Sequence, residues 1–259
     1  MDKDNVFDCH LSLIARDGIY LARGVPRKVS KSTRLVVPPG GRIDFLVRKS
    51  KAAGSCRLIS SVEPKIQSLL GPSTKIIEGT LIECTNSSEI IESYVEMEDF
   101  PTRLPPLPSF MQDLRHFPKA ERRTIEWTEF QKIKFGVAKY GINGEPYTES
   151  SRFAVRLDRV QEWMIINMLA GDLGPAVESH PFHLHTNHFQ IVEFKGEYLP
   201  KEDYVIGEWR DTIYVPTPGN ITVRWIPRHF TGKSLLHCHI LSHEDLGMAW
   251  PFDIIDKLD

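Results

Sequence analysis

The chain has 259 residues, of which 41% are hydrophobic and 25% are charged, a balance typical of a globular protein with a sizeable core. The net charge of −2 gives no electrostatic case for nucleic acid or an anionic membrane as a partner. No apolar run reaches the roughly 18 residues that a membrane-spanning helix needs, and the N-terminus lacks the regions of a signal peptide. We expect one large domain or two ordinary domains, and the composition does not specify a cellular compartment.

The first stretch of the chain has the pattern of antiparallel β-structure. Residues 7–21, FDCHLSLIARDGIYL, alternate in polarity and then reach Asp17-Gly18, a dipeptide typical of a hairpin turn. Two further β-rich runs, RLVV and RIDFLVRKS, flank the turn-forming residues PPGG. We interpret His10 and Asp17 as structural residues, because neither belongs to a functional motif.

Residues 62–118 contain the expected boundary between two units. Residues 75–85, KIIEGTLIECT, are compatible with one strand. Residues 101–118, PTRLPPLPSFMQDLRHFP, are rich in proline, which interrupts regular elements and stiffens an exposed chain. We interpret this segment as an interdomain linker, with a ligand for a proline-recognising domain as the alternative. The expected division is into residues 1–118 and residues 119–259.

The second half of the chain returns to short β-rich runs that are separated by turn signals. The expected turns are at Tyr140-Gly141, at Asn143-Gly144 and near Asp158. Short strands at near-regular spacing indicate a β-sandwich or a barrel. The sequence therefore predicts an all-β fold.

Two short motifs near the C-terminus carry the chemistry. HPFHLHTNHFQIV begins at His180 and HCHILSHEDLGM begins at His237, and together they contain seven of the ten histidines, with Cys238 and Met248. Histidine, thiolate cysteine and thioether methionine are the ligands of copper sites that transfer electrons. A zinc site and a set of ordinary histidines are the alternatives. Zinc is disfavoured because these side chains are too many for one tetrahedral cluster.

Strand geometry divides these side chains into two sets. Residues two apart in a strand share a face, whereas neighbours point to opposite faces. One face is expected to gather four imidazoles, those of His183, His185, His237 and His239. The opposite face gathers His180 and Cys238. Beyond the strand, His243 and Met248 can return to complete a site of two His, one Cys and a weak axial Met.

Both motifs resemble those of the multicopper oxidases, the family of laccases, ferroxidases and bilirubin oxidases. The resemblance implies cupredoxin-like Greek-key β-sandwich domains that bind copper. It covers residues 119–259 as a third cupredoxin domain, where INGEPY and WRDTIYVP support it. The earlier IARDGIYL and LVVPPGGRIDFLVR are similar to the later part of the family's second cupredoxin domain.

The resemblance assigns the candidate ligands to three kinds of copper site. The type-1 ligands it implies are His180, Cys238, His243 and Met248. His183 matches a type-2 ligand, and the matches to type-3 ligands are His185, His237 and His239. In such an enzyme a small-molecule or metal-ion reductant (a phenol, an amine or a metal) gives electrons to type-1 copper, and dioxygen is reduced to water at the type-2/type-3 cluster.

One departure from the family pattern concerns the oxygen-reducing cluster. The family's cluster takes eight histidines, four of them from two HxH motifs in an N-terminal cupredoxin domain, and this sequence has no further HxH motif. We therefore expect a complete type-1 site, half of a cluster, and an N-terminal cupredoxin domain in trans as a partner. The alternative is a one-copper electron-transfer or copper-binding module without oxidase activity.

Three residues outside the ligand set have candidate roles. Glu244 directly follows His243 and is a candidate catalytic proton donor, with a solvated acid as the alternative. Asp211 is a candidate to hydrogen-bond a ligand histidine, with a structural acid at a strand end as the alternative. His188 is interpreted as a core residue or a neighbour of the ligands, because the motif is already satisfied without it.

Overall fold

The computed structural model describes residues 9–29, 35–49, 55–60, 79–85, 101–134, 138–167, 179–196 and 203–256. In these ranges the chain forms seventeen β-strands and one α-helix of five residues, α1 (Leu241–Asp245). The predicted all-β fold is confirmed. Within the same ranges no helix is long and apolar enough to cross a membrane.

The N-terminal strands form a small antiparallel sheet around one central strand. The strands are β1 (Cys9–Arg16), β2 (Ile19–Tyr20), β3 (Arg27–Val29) and β4 (Ile43–Lys49). Strand β1 pairs with each of the other three. The hairpin turn predicted at Asp17-Gly18 is confirmed, because both residues take positive φ angles of 50° and 76°, as a two-residue type I′ turn requires. A separate antiparallel pair consists of β5 (Ser55–Ser60) and β6 (Gly79–Thr85).

Two larger sheets build the second half of the chain. The first contains β7 (Glu121–Lys134), β8 (Ala138–Ile142), β10 (Gln161–Asn167), β12 (Phe189–Gly196), β13 (Trp209–Arg210) and β15 (Gly219–Trp225). Its strand order is β13-β12-β15-β10-β7-β8. The second contains β9 (Ala154–Arg156), β11 (His180–Leu184), β14 (Thr212–Val215), β16 (Gly232–Cys238) and β17 (Ala249–Ile255). Its order is β14-β11-β16-β17-β9, with β9 parallel to β17 and the other pairs antiparallel.

The hydrophobic core lies between these two sheets. Strand β10 alternates buried and less buried side chains, which is the pattern of a strand with one face on a core. The indole of Trp163 packs edge-on against Trp225, with ring centroids 4.8 Å apart, and against Phe252 of the facing sheet at 5.5 Å. This interdigitation of the two inner faces makes a β-sandwich.

The turns of the second half differ from the prediction at one place. Asn143-Gly144 and Asp158 are at turns and have positive φ angles, as predicted. The turn predicted at Tyr140-Gly141 is wrong, because both residues lie inside β8. Gly141 is needed there for space, since a Cβ atom at this position would lie 2.4 Å from the carbonyl oxygen of Glu145.

The proline-rich segment packs onto the fold instead of extending away from it. Met111 and Leu114 are buried in a small cluster with Ile19 of the N-terminal sheet and Trp209 of the larger sandwich. The guanidinium of Arg224 donates to the carbonyl of Leu114 at 2.7 Å. The segment thus contacts strands on both sides of the predicted linker.

Candidate metal centres

Strands β11 and β16 place the two motifs side by side. Their antiparallel register pairs Phe182 with Cys238 and His183 with His237. His180, Phe182 and Cys238 therefore point toward the core, whereas His183 and His237 point to the other face. The two faces predicted from strand parity are present. We call the residues His180, Cys238, His243 and Met248 the core-side set, and His183, His185, His237 and His239 the outer set.

The core-side set brings two imidazoles and a thiol together. The Sγ atom of Cys238 lies 3.7 Å from Nδ1 of His180 and 3.8 Å from Nδ1 of His243. The two Nδ1 atoms are 3.1 Å apart. All three side chains are buried, so the three donor atoms form a triangle that is closed to bulk water.

A short helix and turn bring His243 and Met248 back to the strand. The N–H of Met248 donates to the carbonyl of His243 at 2.9 Å, and the N–H of Cys238 donates to the carbonyl of Met248 at 3.1 Å. The side chain of Met248 is fully buried in the core. These backbone bonds fix the loop that follows Cys238, and so fix His243 against His180.

Aromatic rings line the core-side set. The ring of Tyr140 stacks on the imidazole of His243 with centroids 4.1 Å apart, and Trp127 lies 6.1 Å from His180. Apolar walls of this kind keep water away and hold the imidazole planes in one orientation.

The outer set forms a second imidazole cluster. Nε2 of His185 lies 3.0 Å from Nε2 of His237. The ring centroid of His183 is 5.2 Å from that of His237 and 5.2 Å from that of His239. Donor atoms of His183, His185 and His237 come close enough to share a metal ion, and His183 and His185 are only partly buried.

Burial favours the neutral form of three imidazoles of the outer set. Burial lowers the pKa of His183 to about 4, although the nearby Asp211 carboxylate raises it. Burial also lowers the pKa of His237 to about 4, although the hydrogen bond to the carbonyl of Cys238 raises it. Burial also lowers the pKa of His185. The neutral imidazole is the form that binds a metal ion, so these three side chains are in their ligating state at neutral pH.

Backbone carbonyls select the tautomers of two outer imidazoles. Nδ1 of His183 lies 2.9 Å from the carbonyl oxygen of Asp211, and Nδ1 of His237 lies 2.9 Å from that of Cys238. A carbonyl can only accept, so each Nδ1 carries the proton and each Nε2 keeps its lone pair. The outer set thus presents Nε2 atoms as donors.

Both predicted acids lie beside the outer set. Oε2 of Glu244 is 3.2 Å from Nδ1 of His237, and burial is the main cause that raises the pKa of Glu244. The carboxylate of Asp211 accepts from the hydroxyl of Thr212 at 2.8 Å and lies 3.8 Å from Nε2 of His188. His188 therefore neighbours this cluster through Asp211.

Comparisons with known proteins identify the family of this chain. The family profile described as multicopper oxidase matches residues 111–257, more than half of the chain. The chain belongs to the multicopper oxidase family. A laccase of Bacillus stratosphericus is 32% identical over 128 residues, which cover 43% of this chain and 22% of that protein. A multicopper oxidase of Staphylococcus haemolyticus is 33% identical over 108 residues, 41% of this chain and 23% of that protein.

Solved multicopper oxidases share the fold. The enzyme of Campylobacter jejuni superposes with a TM-score of 0.66 at 20% identity and covers 96% of this chain. McoA of Aquifex aeolicus gives a TM-score of 0.66 at 21% identity over 95% of the chain. In both cases the chain spans 50% of the solved protein, so it corresponds to about half of a multicopper oxidase of this kind.

The donor sets fit copper, the metal of the family. Bonds of about 2.0–2.1 Å to imidazole nitrogen and about 2.3 Å to thiolate sulfur, the lengths known for zinc, are compatible with a metal ion inside the core-side triangle. Two imidazoles with one thiolate are the softer donor set that electron-transferring copper sites use, and the buried Met248 is hydrogen-bonded through its backbone to Cys238 and His243. The outer set offers imidazole alone, which also suits copper.

Three residues in the turns and loops of the N-terminal sheet neighbour the site, and the sequence did not predict this. A Cβ atom on Gly40 would lie 2.4 Å from the imidazole of His239, so the turn at PPGG packs directly on this ring. Arg42 forms an ion pair with Asp211, and Asp17 accepts hydrogen bonds from the backbone beside it. Asp17 was interpreted as a purely structural residue, and no local sequence signal connects it with the histidines.

Proposed function

We propose that this chain is the C-terminal part of a laccase-like multicopper oxidase, with a type-1 copper in the core-side set and half of an oxygen-reducing cluster in the outer set. When bound, copper would accept single electrons from a reductant and reduce dioxygen to water. One observation carries the proposal, namely that Cys238 and His237 are adjacent in β16 yet belong to different ligand sets on opposite faces.

The core-side residues have different proposed roles as ligands of the type-1 metal. The proposed equatorial donors are Nδ1 of His180, Nδ1 of His243 and the thiolate of Cys238, whose mutual distances support a shared ion. Met248 is proposed as the weak axial ligand, in keeping with its burial and with the backbone bonds that tie it to Cys238 and His243. A rigid, dry site of this kind suits electron transfer because it changes little between redox states.

The outer residues are proposed as four of the cluster ligands. His183 takes the type-2 role, and the type-3 roles fall to His185, His237 and His239. The Nδ1 hydrogen bonds of His183 and His237 support this role, because they leave Nε2 free to bind.

Strand β16 is the proposed connection between the two sets. The carbonyl of Cys238 accepts the Nδ1–H of His237 at 2.9 Å, so a hydrogen bond runs beside the covalent backbone from the cysteine to an outer imidazole. The two ligand sets are thus joined by a single peptide bond, with no residue between Cys238 and His237.

Glu244 is proposed to supply protons, and Asp211 to orient ligands. The carboxyl of Glu244 is 31% exposed and lies 3.2 Å from Nδ1 of His237, so it can carry protons between solvent and the cluster, and burial raises its pKa. Asp211 accepts from Thr212, whose hydroxyl oxygen in turn lies 2.8 Å from Nδ1 of His183.

The domain division and the partner belong to the same proposal. Residues 1–118 correspond to a partial second cupredoxin domain with its linker, and residues 119–259 to the third. An N-terminal cupredoxin domain with two HxH motifs would complete the cluster, in cis or in trans. The reductant is a phenol, an amine or a metal ion.

A one-copper electron-transfer module is the second candidate. One observation favours it, because the core-side set has every donor it needs, whereas residues 1–259 contain no further HxH motif for the outer set. Oxygen uptake in the presence of a cupredoxin domain that carries two HxH motifs separates the two functions, since only the oxidase part would then consume dioxygen.

The type-1 assignment is tested by the visible spectrum of the copper-loaded chain. We expect a blue band from the bond between the Cys238 thiolate and Cu(II), and complete loss of this band in Cys238→Ser. His183→Gln, which alters only the outer face, is the matched control and keeps the band. A blue band that survives Cys238→Ser would rule out the assignment.

A further inference from the structure

The strongest unassigned feature is a buried carboxylate in the N-terminal sheet. Asp17 is only 4% exposed, and it sits in the hairpin turn between β1 and β2. Its Oδ1 atom accepts the N–H of Arg42 at 2.9 Å, and its Oδ2 atom accepts the N–H groups of Asp211 and Thr212, each at 3.2 Å. The Asp17 carboxylate therefore binds the backbone of Asp211, which lies 194 positions further along the chain.

The two residues whose backbone N–H groups Asp17 holds also orient His183 through other atoms. The carbonyl of Asp211 and the hydroxyl oxygen of Thr212 lie 2.9 Å and 2.8 Å from Nδ1 of His183. The Thr212 hydroxyl donates its own proton to Asp211 at 2.8 Å, so its oxygen is left to accept from the imidazole. Moving the Asp211–Thr212 backbone would remove both acceptors at once.

Arg42 closes the arrangement from the other side. The N–H of Asp17 donates to the carbonyl of Arg42 at 2.9 Å, which makes the Asp17–Arg42 contact reciprocal. The Arg42 guanidinium then pairs with the Asp211 carboxylate and donates to the carbonyl of Gly40 at 2.8 Å. The N-terminal sheet thus holds Asp211 by its backbone and by its side chain.

We infer that Asp17 is a positioning residue for His183, fixing its tautomer and ring orientation through the backbone of Asp211 and Thr212. This inference rests on the proposed metal-binding role of His183. Asp17 of the N-terminal unit would thus support the outer set but not the core-side set, since its described contacts lead only to the outer face.

The test uses the metal-free full chain with 15N-labelled histidine, followed by NMR, and then a Zn²⁺ titration read at the His183 and His243 signals separately. Asp17→Ala removes all three accepted bonds. Asp17→Asn keeps one acceptor oxygen and suits the left-handed turn, so it should recover part of the loss. Asp158→Ala is the matched control, because Asp158 has a similar positive φ of 57° against 50° and an exposed side chain.

We expect the unvaried chain and Asp158→Ala to show the single Nδ1–H tautomer of His183. Asp17→Ala should show mixed tautomers and a Zn²⁺ affinity at His183 that is lower by tenfold or more, the usual effect of losing a residue that supports a ligand. Its affinity at His243 should stay within twofold, and Asp17→Asn should fall between the two.

Two results would overturn the inference. One is an unchanged His183 tautomer in Asp17→Ala, and the other is an equal loss of affinity at His183 and His243, which would mean a general structural role. A failure of the proposed function is distinguishable from both. In that case the unvaried chain would bind no Zn²⁺ at His183, while the comparison of tautomers would still decide the role of Asp17.

Discussion

The two faces of the β11–β16 pair hold their histidines in different ways. On the core side, residues of the second half of the chain supply every donor, and aromatic rings enclose the three buried side chains. On the outer face, His183 and His185 remain partly exposed, and the N-terminal unit adds supporting contacts through Gly40, Arg42 and Asp17. A site inside one sandwich is self-sufficient, whereas a site on its surface depends on what packs against it.

The largest expected effect is on dioxygen consumption, which requires the outer set to be completed by another domain. The isolated copper-loaded chain should consume no dioxygen with a phenolic substrate, because four imidazoles under-ligate a cluster of several coppers. Adding a cupredoxin domain that carries two HxH motifs should restore turnover, measured as oxygen uptake at equal copper loading. The same domain with its HxH histidines replaced by glutamine is the control. Turnover by the chain alone would contradict this contrast.

Acid should destabilise the metal-free outer face. His183 and His237 have folded-state pKa values of about 4, below the ordinary value of 6.5, so the unfolded chain binds more protons between these limits. The contribution of these two neutral imidazoles to the free energy of unfolding is complete above pH 6.5. It is lost as the pH falls toward 4, by roughly 3 kcal/mol for each imidazole that must be protonated. Denaturant unfolding across this range measures the loss.

The matching variants show whether these two imidazoles cause the loss. Combining His183→Gln with His237→Gln should flatten the pH dependence between pH 6.5 and 4. His116→Gln removes an imidazole that is 84% exposed and should leave the dependence as it is. An equally steep curve in the double variant would place the cause elsewhere.

Gly40 tests the contact between the N-terminal unit and the outer set. Gly40→Ala and Gly144→Ala both put a side chain at φ 78°, at a cost of about 1–2 kcal/mol each. Only the Cβ at position 40 meets His239, whereas that at position 144 meets nothing within 4 Å. We expect only Gly40→Ala to weaken metal binding by the outer set, on the order of tenfold in a Zn²⁺ titration. Equal affinities in the two variants would refute the contact's importance.

The smallest expected effect concerns the core-side set. Met248→Leu should keep the blue copper and raise its reduction potential, because losing a weak thioether ligand favours Cu(I). Redox titration of the two forms measures the shift. Met111→Leu, a similar change at a buried methionine of the other apolar cluster, is the control. A lowered or unchanged potential would count against Met248 as the axial ligand.

Sequence reasoning was most successful where the information is local. Strand alternation in HPFHLH and HCH was sufficient to separate the two faces, because parity depends only on neighbouring residues. It failed at Tyr140-Gly141, because a glycine inside a strand cannot be distinguished from a turn glycine by the local sequence. It also gave no sign that Asp17 and Gly40 serve the histidines, since those contacts join residues far apart in the chain.

A copper titration of the isolated chain, followed by visible absorption, tests the central claim that the two faces are separate sites. We predict that the blue band saturates at about one copper per chain in the unvaried protein and in His183→Gln, since the core-side set needs no outer residue. In Cys238→Ser no blue band should develop at any copper ratio, while His183 and His185 still bind metal. A blue band that requires His183, or that grows beyond one copper per chain, would contradict the account.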